Sequence, residues 1–304
     1  MKAVWSLWTK PLTLGQSAWP TEQHHLMAWV TSIATAKHHF SKTALVTDRC
    51  GADLLVDKLG LAFDEVIVEL DALNHYESEW WAMAKIWAYQ AQTEPFIHID
   101  SDVFLWQPLP DRMVSAPVLA QNPDYFTWLD PTTWYEPEAF EVPIYAVDGW
   151  LPQEWIWQRT QRRTQKGFCC GIFGGNAVDF IQYYADLAMR LVNHPANQPA
   201  WPLLKPDLLP GLLFEEYLLG CCTEYHAHHP NSPFSDLAVQ CLFSSLEDAF
   251  APGKANQAGY THLIAGSKKN PVYMKRLETW VQKHCPEQYQ RIQDMTAPVL
   301  AKPT

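Results

Sequence analysis

Short apolar runs alternate with amphipathic stretches along the first hundred residues. The runs at 3–8, 43–47, 63–70 and 96–99 have the length and apolar character of strands. Between them, residues 22–39 and 77–92 repeat apolar side chains at helical spacing, Thr21 is a suitable N-cap, and a short helix is expected at 51–59. Strands that alternate with helices predict an α/β fold with a mostly parallel, Rossmann-type sheet flanked by helices.

Beyond residue 110 the pattern is less regular. It predicts strands at 118–121, 167–175 and 260–263, and helices at 178–193, 208–227 and 271–284. Residues 122–157 are rich in Trp, Tyr, Pro and acids, and we expect an irregular aromatic-rich insertion there, with a hairpin near 144–147. We predict one domain over 1–285, with halves 1–110 and 111–285, followed by a tail at 286–304 whose last residues are frayed.

Two carboxylates stand where the fourth strand ends. Asp100 and Asp102 are separated only by Ser101 in the segment PFIHIDSDVFLWQP. Because desolvation makes two buried free charges very costly, these acids must face solvent or a cation. Carboxylates at this spacing suit Mg²⁺ or Mn²⁺, whereas the competing interpretation is a solvated turn. Asp48 follows the second strand, and ligands of such sheets bind beyond the carboxyl ends of the strands, so we expect the three acids to share one site.

Composition narrows the classes of function. The chain has 304 residues, of which 48% are hydrophobic, and a net charge of -11. The one basic run, at 159–166, is short, which argues against nucleic acid as a partner. No apolar run reaches the length of a membrane span, which leaves peripheral membrane contact open. Seven cysteines without CxxC spacing, and a first segment without a signal-peptide pattern, lead us to expect a cytoplasmic protein.

Five segments together resemble GT-A-type glycosyltransferases. They occur in the order that such enzymes use, over roughly the first 280 residues. The segment at 261–269 is similar to the late His-x-x-Gly-x-Lys element of glycogenin-like and bacterial lipopolysaccharide galactosyltransferases, with one residue more before the glycine. The HIDSDVFL core is also similar to that of a poorly characterised bacterial group. The five segments are Thr47-Asp48, FIHIDSD at 96–102, GIFGGN at 171–176, Glu215-Glu216 and THLIAGSKK at 261–269.

The resemblance implies a metal-dependent transferase that takes a nucleotide-sugar donor, usually a UDP-sugar, with Mn²⁺ or Mg²⁺ on its diphosphate. By position, Asp100 and Asp102 would bind the metal, and Asp102 would be the more direct ligand. His262 would be a third protein ligand. Lys268 would contact the diphosphate, with Lys269 as its competitor. A metal and a lysine placed there would stabilise the charge that builds on the leaving diphosphate.

Other candidate residues follow from their positions. Ser101 and Asp48 are expected to contact the ribose or base, although Asp48 could equally be a turn residue. Gly171, Gly174 and Gly175 would allow close approach of a ligand, against the equally weighted alternative of tight strand packing. Of Glu215 and Glu216, at the start of a helix, one would face the sugars as acceptor ligand or general base and the other would favour the helix N-terminus.

Three functions stay open at this point. The first is the glycosyltransferase, acting on a glycan, lipid-linked or protein acceptor. The second is a nucleotidyltransferase acting on sugar phosphates, although that class opens with a glycine-rich loop and residues 9–16 hold a single glycine. The third is a catalytically inactive protein that binds sugar nucleotides. The donor sugar and the acceptor stay undetermined, and retention of configuration is favoured only by analogy.

Overall fold

The structure, a computed structural model, describes residues 1–13, 18–130 and 132–297. The frayed end predicted for the last residues falls on 298–304 and lies outside the described residues. Within the described part, nine strands form two sheets. Their bounds are β1 Lys2–Leu7, β2 Thr43–Thr47, β3 Glu65–Val68, β4 Phe96–Ile99, β5 Val103–Leu105, β6 Val118–Thr127, β7 Thr164–Gly175, β8 Val239–Cys241 and β9 Tyr260–His262.

The central sheet has seven strands in the order β3-β2-β1-β4-β7-β6-β8. Strand β7 runs antiparallel to its neighbours β4 and β6, and every other pairing is parallel. The predicted α/β class with a mostly parallel sheet is therefore confirmed. Strands β5 and β9 form a separate antiparallel pair. Strands β2 and β3 are added on one side of β1, whereas β4 is added on the other side. The order of the strands therefore reverses between β1 and β4, and this leaves a crevice at their carboxyl ends.

Helices cover both faces of the sheet. Helices α2 and α13 pack together on one face, and α4 and α8 on the other. The side chains of β1 alternate between these two layers, since Ala3 and Trp5 join one core and Val4 joins the other. The bounds of the α-helices are α1 Lys10–Thr13, α2 Glu22–Lys37, α3 Arg49–Ala52, α4 Met83–Gln90, α5 Asp111–Val114, α6 Pro137–Ala146, α7 Gln153–Gln161, α8 Val178–Asn193, α9 Pro210–Leu212, α10 Leu218–Ala227, α11 Leu246–Phe250, α12 Pro252–Ala258, α13 Pro271–His284 and α14 Pro286–Thr296.

Strongly periodic segments lie where the sequence predicts them. Strands β2 and β4 and helices α8 and α13 have the predicted bounds, and the Thr21 hydroxyl caps α2 by accepting from the backbone N–H of His24. The helix predicted at 208–227 is present but interrupted, because a π-helical segment, Leu213–Tyr217, lies between α9 and α10.

The prediction of an irregular insertion at 122–157 is largely wrong. Strand β6 continues to Thr127, and α6 and α7 follow it, so the expected hairpin near 144–147 is the end of a helix. Phe140 and Ile144 lie one turn apart on α6 and are fully buried, and Phe140 packs on Trp155 and Trp201. This packing outweighs the helix-breaking tendency of Pro143, which conceals the helix in the sequence.

The predicted tail begins with a helix, α14. Its Ile292 is fully buried, and its Thr296 hydroxyl accepts a hydrogen bond of 2.9 Å from Gln23 on α2. The part of the chain that the structure describes contains no helix with the length and apolar character needed to cross a bilayer.

Candidate metal centre

The turn after β4 brings two distant segments together. The backbone N–H of Asp100 donates to Gly171, and that of Val103 donates back to Asp100, so the chain turns sharply and enters β5. Val103 then pairs with His262 on β9, and the N–H of Leu263 donates to the carbonyl of Asp102. Backbone pairing alone therefore places His262 opposite the Asp100–Asp102 turn.

Asp100, Asp102 and His262 form a group that could hold a metal ion. One ligand atom from each residue lies within 4.8 Å of those of the other two. Nε2 of His262 is 3.4 Å from Oδ1 of Asp102. Two carboxylates and one imidazole are a donor set that suits Mn²⁺ or Mg²⁺, and waters or a phosphate would complete the coordination.

A glutamine that sequence reasoning missed orients the imidazole. Oε1 of Gln121 lies 2.7 Å from Nδ1 of His262 and accepts from the Tyr260 hydroxyl at 2.6 Å. Because an amide oxygen only accepts, Nδ1 donates its proton to Gln121, and Nε2 is the ring nitrogen that faces Asp102 and could bind a cation. Gly171 makes room for this arrangement, since a Cβ there would lie 2.5 Å from Gln121 Oε1 and 2.6 Å from the His262 ring.

Two lysines balance the aspartates. Nζ of Lys268 is 2.7 Å from Asp102, and Nζ of Lys85 is 3.0 Å from Asp100 and 2.8 Å from Glu215. Burial alone would raise the pKa of Asp102, but Lys268 and His262 outweigh it and lower that pKa. Burial raises the pKa of Asp100, and Lys85 opposes this shift only in part. Asp102 therefore attracts cations. The ammonium of Lys268 already contacts it, so a metal ion would compete with Lys268 for Asp102, and a phosphate group would compete with Asp102 for Lys268.

Sequence reasoning also missed Lys85. It lies on α4 among buried residues, and burial would lower its pKa, but the neighbouring carboxylates of Asp100 and Glu215 raise it well above the usual range. The signal in the sequence is a single cation on the apolar face of a strongly hydrophobic helix directly before the Asp100 strand. A buried lysine of this kind needs an acidic partner in the core.

A cavity of about 390 Å³ adjoins the group. It opens between the carboxyl ends of β1 and β4, where the strand order changes direction and where ligands of open α/β sheets bind. Ser101 lines it, as predicted for a residue near the ligand. Lys268 lines it as well and places its Nζ 5.5 Å from the centre of the Trp19 ring. The other lining residues that bear on binding are Trp8, His25, Trp29, Lys85, His98, Asp100 and Asp102.

Asp48 has a role in the fold instead. Its Oδ2 accepts from the backbone N–H and the hydroxyl of Thr9 at 2.8 and 2.7 Å, and its Oδ1 caps α3 by accepting from Gly51 at 2.7 Å. The side chain is buried and does not line the cavity. The structure therefore supports the turn interpretation of Asp48 and not the expected contact with a nucleotide.

Gly174 and Gly175 are not at the site either. They pair with the start of β4, opposite Ile97 and Phe96, while the aspartates follow its other end. A Cβ at Gly174 would lie 2.1 Å from the Phe96 carbonyl oxygen, and one at Gly175 equally close to that of Pro117. Both glycines serve tight strand packing, and the glycine that the site requires is Gly171.

Glu215 and Glu216 lie inside the π-helical segment Leu213–Tyr217 and not at a helix start. Glu215 is fully buried, where its Oε1 contacts Lys85 and accepts from the Tyr89 hydroxyl at 2.6 Å. Glu216 accepts from the backbone N–H of Cys170 at 3.1 Å and from the Tyr135 hydroxyl at 2.6 Å. Neither residue lines the cavity, so the structure does not place a carboxylate of this pair against the sugars.

Glu216 belongs to a second cluster of acidic side chains, which it forms with Asp124 around Tyr135. The Tyr135 hydroxyl lies 2.6 Å from Glu216 and 3.0 Å from Asp124. Burial, with neighbouring Glu215, raises the pKa of Glu216 to about 8, and burial raises that of Asp124 to about 6. Since one hydroxyl has one proton for two carboxyl groups, this cluster favours a proton held on a carboxyl group.

Comparison with models of protein families matches residues 1–295 to the Family of unknown function (DUF6734). The match covers nearly the whole chain, and the chain belongs to this family. No curated protein matches the chain. The family description assigns no activity, so the residues around Asp100 and Asp102 are the basis for a functional assignment.

Proposed function

We propose that this member of the DUF6734 family is a GT-A-type glycosyltransferase that depends on Mn²⁺ or Mg²⁺. It would take a sugar from a nucleotide-sugar donor, in the first place a UDP-sugar, and transfer it to a glycan, lipid-linked or protein acceptor. The observation that carries this proposal is that Asp100, Asp102 and Lys268 line one cavity and that His262 lies against Asp102 at its edge. Residues more than 150 positions apart in the sequence meet there.

The residues present fit the chemistry of a diphosphate leaving group. Asp100, Asp102 and His262 would hold the divalent ion, which supplies positive charge to the leaving diphosphate when it is bound. Lys268 would exchange its contact with Asp102 for a phosphate oxygen, which places a second positive charge where negative charge develops. Ser101 lines the same cavity and is suited to hydrogen-bond the ribose.

Two features of the fold support this proposal. The cavity lies at the change of strand direction, the usual ligand position in open α/β sheets. The seven cysteines are unpaired thiols, which supports a reducing, cytoplasmic setting.

A thermal-shift panel of nucleotide sugars, each with and without Mn²⁺, tests the proposal. Stabilisation grows with ligand concentration over Kd, so one donor should raise the melting temperature strongly when Mn²⁺ is present and weakly when it is absent. The matching nucleoside monophosphate is the control, because it lacks the diphosphate and should give a smaller metal-dependent shift. Release of the nucleoside diphosphate from that donor then tests for transfer or hydrolysis. Shifts that do not depend on Mn²⁺ for any donor would contradict a metal-dependent transferase.

A further inference from the structure

Glu215 is a buried acid that the proposed reaction does not use. Its side chain is fully buried and is separated from the cavity by Lys85. Both of its polar contacts, to Lys85 and to the Tyr89 hydroxyl, go to Oε1. Within the described residues its Oε2 is buried without a hydrogen-bond partner. A carboxylate kept only for structure is expected to satisfy both oxygens, so this one requires another explanation.

Lys85 connects Glu215 to the metal centre. Its Nζ lies 3.0 and 3.1 Å from the two carboxylate oxygens of Asp100, 2.8 Å from Glu215 and 3.0 Å from the carbonyl oxygen of Cys170. These acceptors hold the ammonium in place in a largely buried position. One positive charge is therefore shared between a candidate metal ligand and a carboxylate that does not reach the metal.

The charge of Glu215 decides how strongly Lys85 opposes a cation. Around the centre, three carboxylates, Asp100, Asp102 and Glu215, face two ammonium groups, Lys85 and Lys268. With Glu215 ionised, one negative charge is left over to attract a divalent ion. Without it, Lys85 acts on Asp100 alone and the cluster is neutral. Charges a few ångströms apart in a buried site interact strongly enough for this difference to matter.

We infer that Glu215 is a positioning residue that acts through Lys85 and sets the affinity of the Asp100–Asp102–His262 group for a divalent cation. This inference rests on the proposed metal site. It replaces the expectation that Glu215 contacts the sugars with a role one layer behind the metal ligands. Removal of its charge should weaken metal binding although Glu215 touches neither metal nor substrate.

Titration of the full chain with Mn²⁺ alone, followed by the EPR signal of the free ion, tests this role. Glu215→Gln keeps the shape and removes the charge, and we expect it to raise the Kd for Mn²⁺ on the order of tenfold. Lys85→Met/Glu215→Gln removes both charges and should return the Kd to within about threefold of wild type. The matched control is Glu154→Gln, because Glu154 is also a buried glutamate that accepts a tyrosine hydroxyl, that of Tyr183, but has no contact with Lys85. It should change the Kd by less than about twofold.

The outcomes separate this inference from the proposed function. If wild type binds Mn²⁺ and Glu215→Gln binds it equally well, the role of Glu215 is refuted and the metal site stands. If wild type does not bind Mn²⁺, both fall. Equal weakening in Glu215→Gln and Glu154→Gln would reduce the effect to general loss of structure and overturn the inference. If Glu215→Gln does not fold, Lys85→Met replaces it in the test. Loss of the ammonium should then lower the Kd for Mn²⁺ instead of raising it. An unchanged or higher Kd would refute the inference.

Discussion

Two pairs of acids in this molecule lie in opposite electrostatic surroundings. Asp100 and Asp102 follow a strand end and contact two lysines and a histidine. Glu216 and Asp124 share the hydroxyl of Tyr135, and within the described residues neither of them pairs with a lysine or arginine. Both pairs are held largely away from solvent, so the difference between them lies in their partners.

The side chains that contact each pair determine whether that pair can bind a cation. Lys268 and His262 lower the pKa of Asp102, which keeps a negative charge at neutral pH. Burial, with neighbouring Glu215, instead raises the pKa of Glu216 to about 8, which favours a retained proton at neutral pH, and burial raises the pKa of Asp124 to about 6. A buried acid beside another acid can therefore serve a cation only where, as at Asp102, cationic groups in the fold keep it ionised.

Asp102→Asn should have the largest effect, because it removes a ligand of the metal group. We expect the affinity for Mn²⁺ to fall by at least ~100-fold, more than is usual for loss of an outer-shell partner, and the metal-dependent thermal shift to disappear. The matched control is Asp124→Asn in the other pair, which should leave Mn²⁺ binding unchanged because Asp124 contacts Asn122 and Tyr135 and none of the three candidate ligands. Isothermal titration with Mn²⁺ measures both. Retained binding in Asp102→Asn, or equal loss in the two variants, would remove the distinction between the pairs.

Gly171→Ala should weaken the binding of Mn²⁺ by Asp100, Asp102 and His262 indirectly. The new Cβ would lie 2.5 Å from Gln121 Oε1 and 2.6 Å from the His262 ring, so these two side chains must shift and their hydrogen bond is disturbed. Because outer-shell changes typically cost 10–100-fold in metal affinity, we expect a loss of about tenfold. Gly253→Ala on α12 is the control, since a Cβ there meets no atom within 4 Å. A Gly171→Ala variant that binds Mn²⁺ as tightly as wild type would show that Gln121 does not orient His262.

The sequence alone predicted the position of Asp100 and Asp102 well, because the features that determine this position are local. The apolar strand, the two acids and the turn all lie within 96–105, and the parallel sheet then fixes the edge at which the acids emerge. The motif at 261–269 correctly indicated His262 and Lys268 near Asp102, because β9 pairs with β5 directly after the turn.

Other residues could not be placed from the sequence, because long-range contacts decide their roles. Asp48 stands at a strand end as Asp100 does, but Thr9 donates two hydrogen bonds to it, and it caps α3 by accepting from Gly51. Gln121 is an unremarkable strand residue until Tyr260 and His262 meet its oxygen. Glu216 precedes an apolar helix, and nothing nearby in the sequence reveals that Tyr135, 81 positions away, will contact it.

The smallest effect is expected in the pH dependence of stability, and its sign should differ between Asp102 and the pair of Glu216 and Asp124. A carboxyl group with a raised folded-state pKa binds more protons in the folded than in the unfolded chain, so stability falls as pH rises. For Glu216 this window runs from its ordinary value of 4.5 to about 8, and for Asp124 from 3.8 to about 6. Asp102 has a lowered pKa, so its contribution is present above 3.8 and is lost as pH falls below that value.

Urea unfolding between pH 6 and 8, with EDTA to exclude metal ions, isolates Glu216, because the window of Asp124 ends near 6. We expect the free energy of unfolding of wild type to fall by about 1 kcal/mol or more over this range relative to Glu216→Gln, which cannot ionise. Difference curves between the two proteins cancel the titration of histidines elsewhere. If the difference stayed constant from pH 6 to 8, Glu216 would be ionised throughout, and the Tyr135 cluster would have to contain a cationic partner as the Asp100–Asp102 pair does. A difference that grows with pH would establish that Glu216 holds a proton in the folded protein, and that the partners of the two pairs, and not their burial, separate them.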